Sequence, residues 1–238
     1  MQAAVDVIVP CYLKASQIKE TLCRVIEILD EAELVFRLIV VMDGPDADCV
    51  RNIDKIQDNR IQTIVLPFNQ GKGSAIRAGF KECDADFVAF FDADLDLHPD
   101  AIVDAVVMLS NLDNSAVVGV YGSKFHNDSE VVYPLTRRLA SRIYRQLIKF
   151  VFGLNVDDTQ TGIKVFKLAA LGNTIIHTTE DRFLFDVELM AICNSFGYKM
   201  VPTPVILDYQ YSSSINLLSA LRMIADTVKL GWRFRRAK

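Results

Sequence analysis

Apolar and polar positions fall along the first half of this chain in blocks that read by turns as strands and helices. Val5–Val9 is a short apolar run closed by Pro10, and Val35–Met42 is a longer one broken by Asp43-Gly44-Pro45. Ile61–Leu66 and Phe87–Phe91 follow, and Ala116–Tyr121 closes the series. Between these runs the period lengthens. Ile18, Leu22, Val25, Ile26 and Leu29 make one helical stripe, with Ser16 as the expected N-cap. Further helices are expected up to about Ile56, over Ser74–Glu82 and after Pro99. Repeated β-α-β units predict an α/β fold, a mainly parallel central sheet with helices on both faces. The ligand crevice of such a sheet collects the loops after the strands, here Pro10–Lys14, Asp43–Asp48, Asn69–Ser74 and Asp92–Asp96.

The second half has a different texture. Arg138, Arg142, Arg145 and Lys149 recur on one helical face, beside an apolar strip of Leu139, Ile143, Leu147 and Phe150. A basic amphipathic helix of this kind suits a membrane interface. A polar loop over Val156–Lys164 leads to a strand at Val165-Phe166. A helix is expected over Phe183–Ser195, with strands around Tyr198–Pro202 and Val205–Tyr209. Leu217, Leu221, Ile224 and Val228 mark a last amphipathic helix. In the tail Trp232–Lys238, aromatics interleave with cations in the manner of a headgroup layer.

Composition adds limits. The 238 residues are 51% hydrophobic, enough for one domain with a full core. One domain over 1–238 is expected, with halves at 1–122 and 123–238. The five cysteines are scattered without a CxxC pair, which reads as reduced thiols, and the three histidines are isolated. No leader or spanning segment is expected. Net charge is −4, yet Val131–Val156 holds five cations and no acid, and Arg222–Lys238 holds six cations against Asp226 alone. The remainder is strongly acidic, which argues against nucleic acid and for a local anionic partner.

The sharpest candidate chemistry is Phe91-Asp92-Ala93-Asp94-Leu95-Asp96. Carboxylates at the end of a buried strand sit at the ligand edge of the sheet, and two hard oxygen donors suit Mg²⁺ or Mn²⁺ shared with substrate phosphates. The bland alternative is a polar turn before the helix at Pro99. Gly71-Lys72-Gly73-Ser74 lacks the earlier glycine of an ATPase phosphate loop and follows the third strand. An aspartyl-phosphate phosphatase is disfavoured by Asp96 and by the three strands that come first.

The ordered set Val7-Ile8-Val9-Pro10-Cys11-Tyr12, Val40-Val41-Met42-Asp43-Gly44, Asn69-Gln70-Gly71-Lys72-Gly73-Ser74-Ala75 and Asp92-Ala93-Asp94 resembles the inverting family-2 glycosyltransferases. Gly122-Ser123-Lys124, Pro134-Leu135-Thr136-Arg137-Arg138, Ser141-Arg142, Asp158–Lys164 and Phe185–Leu189 look like its polyprenyl-phosphate branch, the dolichyl-phosphate mannose and glucose synthases. The resemblance covers nearly the whole chain and implies the nucleotide-diphospho-sugar transferase (GT-A) fold. It implies that Pro10, Tyr12 and Asp43 line the base and ribose, and that Lys72 sits near the donor. Asp92, Ala93 and Asp94 would hold the diphosphate, with Asp92 and Asp94 as metal ligands. Lys124, Arg137, Arg138 and Asp158 would form the acceptor site, and Asp92, Asp94, Lys124 and Arg137 would carry the chemistry. Arg142 and Arg145 face the membrane on this reading. Leu13-Lys14 and Met42-Asp43-Gly44 depart from the family wording in the base pocket, so the donor stays open.

The implied reaction moves a hexose from a UDP-glucose- or GDP-mannose-type donor to a polyprenyl or dolichyl monophosphate, with inversion and a divalent metal. A lipid monophosphate needs cations to orient it and no general base, because its second pKa is near ~6. Two rivals stay in view. One is an inverting transferase to a sugar hydroxyl, with Asp181 of Thr179-Glu180-Asp181 as base. The other is a sugar-nucleotide-binding protein without catalysis. The expected location is cytoplasmic, peripheral on the cytoplasmic face of a membrane, with a small membrane subunit as a further candidate anchor.

Overall fold

The computed structural model describes residues 3–112, 114–131, 135–207 and 217–236, with backbone alone at 135–139 and 217–221. The first half runs β1 (Ala4–Cys11), α1 (Ile18–Glu31), β2 (Val35–Met42), α2 (Ala47–Asp54), β3 (Ile61–Val65), α3 (Lys72–Phe80), β4 (Phe87–Phe90), α4 (Asp100–Asn111) and β5 (Val117–Gly122). The second half adds β6 (Glu130–Val131), α5 (Leu135–Phe152), β7 (Lys164–Lys167), α6 (Leu168–Ile175), α7 (Phe185–Ser195), β8 (Lys199–Thr203), β9 (Ile206–Leu207) and α8 (Leu217–Arg236). The expected alternation holds in the first half, although β1 runs on through Pro10 to Cys11. Tyr209 and the tail residues Ala237 and Lys238 lie outside the described residues.

Seven strands form one sheet in the order β3-β2-β1-β4-β7-β5-β8. Neighbours are parallel except around β7, which is antiparallel to both β4 and β5. The chain moves outward from β1 through β2 to β3, then returns to lay β4 on the other side of β1. That reversal opens a crevice between the carboxyl ends of β1 and β4. Pro10 is accommodated beyond the last β1–β4 rung, Ile8–Phe90, where its missing N–H costs no ladder bond. One apolar layer under α1, α2 and α4 centres on Val7, Leu22, Leu38 and Ile102. The opposite layer, under α3, α6 and α7, centres on Ile8, Ile76, Phe90 and Leu189.

Three details differ from the sequence expectation. Ser16 does not cap α1. Lys14 O accepts the amides of Gln17 and Ile18 at 2.9 Å each, so a turn feeds the helix, and Gln17 is its boundary without a side-chain cap. Helix α3 begins at Lys72 rather than Ser74, after Gly71 at φ 103°. Leu168–Ile175 forms the unexpected helix α6, which places Leu171 and Ile175 in the core.

Helices α5 and α8 pack on each other at Gly231, where a Cβ would fall 2.0 Å from Val151 Cγ1. Phe152 and Phe234 meet edge to face nearby at 6.0 Å. Ile224, Val228 and Trp232 then lie exposed at helical spacing on α8, and Ile143 and Phe150 lie exposed on α5. No helix among the described residues is long and apolar enough to cross a membrane.

Candidate active site

The acids after β4 are held from beneath. Thr21 of α1 is fully buried and donates through Oγ1 to Ala93 O at 2.9 Å, which pins the loop between Asp92 and Asp94. Leu95 follows at φ 53°, and Leu13, facing the same crevice from the end of β1, has φ 50°. Left-handed backbone at two leucines costs on the order of 1 kcal/mol each and persists only where surrounding contacts impose it.

From Asp92 a chain of alternating charge runs into the protein. Lys72 Nζ lies 2.7 Å from Asp92 Oδ1 and 3.3 Å from Asp186 Oδ2, and Lys164 Nζ lies 2.8 Å from Asp186 Oδ1. Side-chain exposure falls along it, 33% at Asp92, 23% at Lys72, 5% at Asp186 and 1% at Lys164, so the chain connects the crevice to the core. Lys164 Nζ also donates to Thr161 O at 2.7 Å. Burial pulls the Lys72 ammonium down, but Asp186 and Asp92 more than offset it and hold Lys72 above the ordinary lysine range. Burial would raise Asp186; Lys164 and Lys72 reverse this and hold its carboxyl below the usual range. In the sequence Asp186 and Lys164 stand only as members of separate motifs; their pairing depends on the fold bringing β7 against α7.

Asp43, buried at the end of β2, spends both oxygens on the next loop. Oδ1 accepts Gln70 N at 2.6 Å and Oδ2 accepts Gly71 N at 2.8 Å. This fixes the turn that launches Lys72. The glycines there answer to packing: a Cβ on Gly73 would sit 2.4 Å from Glu180 O, and one on Gly71 would sit 2.3 Å from Asp181 O. Between the ends of β1 and β2 lies a cavity of about 250 Å³, lined by Cys11, Tyr12, Asp43, Gly44, Asp46 and Cys49 among others. Tyr12 stands half out of it, exposed, while Pro10 lies just behind in β1.

A second pocket, of about 60 Å³, opens beside the start of the polar loop and is lined by Lys124, Ser141, Tyr144, Arg145, Asp158 and Gln160 among others. Lys124 Nζ pairs with Asp158 Oδ2 at 2.5 Å and reaches Thr161 Oγ1 at 3.5 Å. Arg145, expected to face a membrane, instead stacks over Phe125 at 4.9 Å and lines this pocket. It is drawn inward because the 157–161 loop and Phe125 fill the space above that face of α5. Arg142 and Lys149 are exposed. Arg137 and Arg138 lie on the first turn of α5, and their side chains are outside the described residues.

The 158–162 loop links this second pocket to the acidic edge. Gly162 follows Thr161 and presses on Asp92 so closely that a Cβ would fall 2.5 Å from Asp92 Oδ2. Only hydrogen at this position leaves room for the carboxylate. Asp94 is partly exposed and has no ion pair among the described residues, and no set of three His, Cys, Asp or Glu ligands assembles there. Two carboxylates on a held loop fit a hard cation that takes its remaining ligands from phosphate oxygens and water. Across the crevice, Asp181 Oδ1 accepts Ser74 Oγ at 2.8 Å and also pairs with Arg77. Glu188 holds the same loop by accepting Thr179 N and Glu180 N, both at 2.7 Å.

Comparison with known proteins places this arrangement. Glycosyltransferase AglD of Haloferax volcanii is 22% identical over 232 residues, covering 96% of this chain and 37% of that protein. The dolichyl-phosphate beta-glucosyltransferase ALG5C of Trichomonas vaginalis is 25% identical, covering 96% of this chain and 71% of the relative. The chain thus spans between about a third and three quarters of the length of these relatives. Among solved structures, glucosyl-3-phosphoglycerate synthase of Mycobacterium tuberculosis, crystallised with Mn²⁺, uridine diphosphate and glucosyl-3-phosphoglycerate, superposes with a TM-score of 0.69 at 17% identity. That match covers 96% of this chain and 80% of the synthase. It shows the GT-A fold. The model of Glycosyl transferase family 2 matches residues 6–174, from the first strand through the acid-bearing edge and the 157–164 loop. The chain is a member of glycosyl transferase family 2.

Proposed function

We propose that this chain transfers a hexose from a nucleoside-diphosphate sugar to a polyprenyl or dolichyl monophosphate, with inversion and with Mg²⁺ or Mn²⁺. The observation that carries the reading is the 158–162 loop. One loop touches Asp92 through Gly162 and Lys124 through Asp158 and Thr161, which sets an anion-orienting pocket directly beside the acidic strand edge. Relatives named for transfer to dolichyl phosphate support the acceptor class, and the Mn²⁺–uridine diphosphate complex of a same-fold enzyme supports the donor side.

The base and ribose enter the cavity between Tyr12 and Asp46, whose floor is fixed by Asp43. Asp92 and Asp94 hold the divalent ion, which supplies Lewis-acid neutralisation of the diphosphate leaving group. Lys72 meets the same phosphates and is kept protonated by Asp186. Lys124 and Arg145, with Arg137 and Arg138 from the first turn of α5, gather and orient the acceptor phosphate. That phosphate is already ionised at neutral pH, so attack on the anomeric carbon needs no proton removed. Gly162 lets the acceptor loop close on Asp92, so the anomeric carbon can lie between the attacking phosphate and the departing diphosphate, as inversion requires.

The lipid lies along α5 and α8, whose exposed Ile143, Phe150, Val228 and Trp232 are set among cations. On this reading the protein works as a peripheral protein on the cytoplasmic face of a membrane, with or without a small anchoring subunit. Incubation with radiolabelled UDP-glucose or GDP-mannose, Mg²⁺ and a polyprenyl phosphate tests the reading. Label should pass into the organic phase as an acid-labile lipid. Label that stays water-soluble with every donor, while the protein is folded and binds nucleotide, would overturn the acceptor assignment.

A further inference from the structure

Five cysteines look scattered in the sequence, but the fold brings two of them together across 38 positions. Cys11 ends β1 and Cys49 lies in the first turn of α2, and their sulfurs are 3.5 Å apart. Both are nearly buried in the protein, yet both line the cavity of about 250 Å³ between β1 and β2. A small molecule that enters that cavity therefore comes against both residues. Closing the gap to the ~2.05 Å of a disulfide takes a side-chain rotation and a small shift of α2.

We propose that Cys11 and Cys49 form an oxidisable dithiol in the floor of the nucleotide cavity, closed to a disulfide by a peroxide and reopened by a thiol reductant. The inference takes the cavity to be the nucleotide site and so rests on the proposed function. In the first step the Cys49 sulfur attacks one peroxide oxygen, the O–O bond breaks, and one water leaves with Cys49 as a sulfenic acid. The Cys11 sulfur then attacks the Cys49 sulfur, the S–O bond breaks, and the second water leaves. Both sulfurs are oxidised and the peroxide is reduced.

The order of attack follows from the surroundings. The Cys11–Cys49 hydrogen bond, followed by burial, pushes the Cys11 thiol up, whereas the same bond draws Cys49 below the ordinary thiol range. Cys49 also sits near the amino end of α2, where its amide caps on Asp46 at 3.0 Å. The bond would be felt beyond the cavity. Cys11 O accepts Asp43 N at 2.8 Å, and Asp43 in turn holds the amides of Gln70 and Gly71 ahead of Lys72. Displacing Cys11 therefore shifts the floor of the base pocket and the donor loop together.

The test uses the full chain carrying Cys23→Ser, which removes the exposed thiol and with it intermolecular coupling. Protein is treated with hydrogen peroxide, remaining thiols are blocked with N-ethylmaleimide, and peptides are mapped by mass. Affinity for UDP and GDP is measured by calorimetry before and after. A Cys11–Cys49 peptide about 2 Da lighter than the two reduced peptides together, with nucleotide affinity lowered at least about tenfold and restored by dithiothreitol, supports the proposal. In Cys49→Ser, affinity should be the same before and after peroxide, whatever its starting value. Cys11 and Cys49 both alkylated after peroxide, or a disulfide formed with affinity unchanged, overturns it. Reduced protein that binds neither nucleotide but forms the disulfide would refute the cavity assignment and leave the dithiol standing.

Discussion

Arg233, near the end of α8, donates to Glu180 Oε1 at 2.7 Å and to Thr179 Oγ1 at 2.6 Å. The last helix is thereby tied to the loop whose backbone presses on Gly71 and Gly73. Both charged groups are partly in water, so the pair itself is worth at most about 1 kcal/mol. Arg233→Ala should leave the melting temperature nearly unchanged. It should, however, speed amide hydrogen exchange over residues 178–183 and raise KM for the nucleotide sugar. Unaltered exchange in that loop would count against the tie.

Asp92→Asn and Asp94→Asn should each lose most turnover, on the order of 10²-fold or more, with circular dichroism unchanged. Excess chelator should abolish activity of the parent protein, and added Mn²⁺ or Mg²⁺ should restore it. Full activity in chelator would remove the metal from the mechanism.

The acceptor pocket separates two outcomes. Lys124→Ala and Arg145→Ala should each raise KM for lipid phosphate about tenfold or more while leaving nucleotide affinity unchanged. Asp181→Asn should have a small effect, since Asp181 already serves Arg77 and Ser74 as an ion-pair partner. A collapse of turnover in Asp181→Asn with normal acceptor binding would favour a sugar-hydroxyl acceptor.

Stability should respond to the buried charges. Lys164→Met strands Asp186 with Lys72 alone and should cost about 3 kcal/mol, or roughly 6–12 °C in melting temperature. Lys164→Met with Asp186→Leu should recover part of it. The folded pKa of Asp186 is depressed, so its contribution is complete above the unfolded value of about 3.9 and is lost as pH falls below that. Acid titration of Asp186→Leu should show a flatter loss of stability below pH 4 than the parent. Equal slopes would exclude the linkage.

Much of this was legible in the linear chain. The strands up to Phe90 are mainly apolar runs with Asp43-Gly44-Pro45, Pro67 or Asp92 close behind three of them, and such punctuation needs no tertiary information. The acidic edge was visible for the same reason. Arg145 was not, because its direction depends on Phe125 and the 157–161 loop, which come from elsewhere in the chain. Lys164 and Asp186 identify each other only once β7 and α7 are folded together. Helix α6 was hidden by Gly172 and Asn173, which weaken its helical signal, and its docking through Leu171 and Ile175 overrides that weakness.

Membrane attachment should be electrostatic and reversible. Anionic liposomes should pellet the protein at low salt, with binding falling steeply as salt rises and with Trp232→Ala, because each cation adds up to about 1 kcal/mol within a Debye length. No pelleting at low salt would assign attachment to a separate partner.

The antiparallel strand β7 has a consequence for synthesis on the ribosome. β4 pairs on one side with β1 and on the other with β7, so the apolar edge of Phe87–Phe90 stays open until residue 167 has emerged. About eighty residues of nascent chain separate the two. At about 5–20 residues per second, that leaves an unpaired strand edge exposed for several seconds, a template for pairing with another chain. The buried Lys164–Asp186 end of the charge chain is therefore assembled late, and ribosome-bound chains stopped before β7 should be both inactive and prone to aggregate.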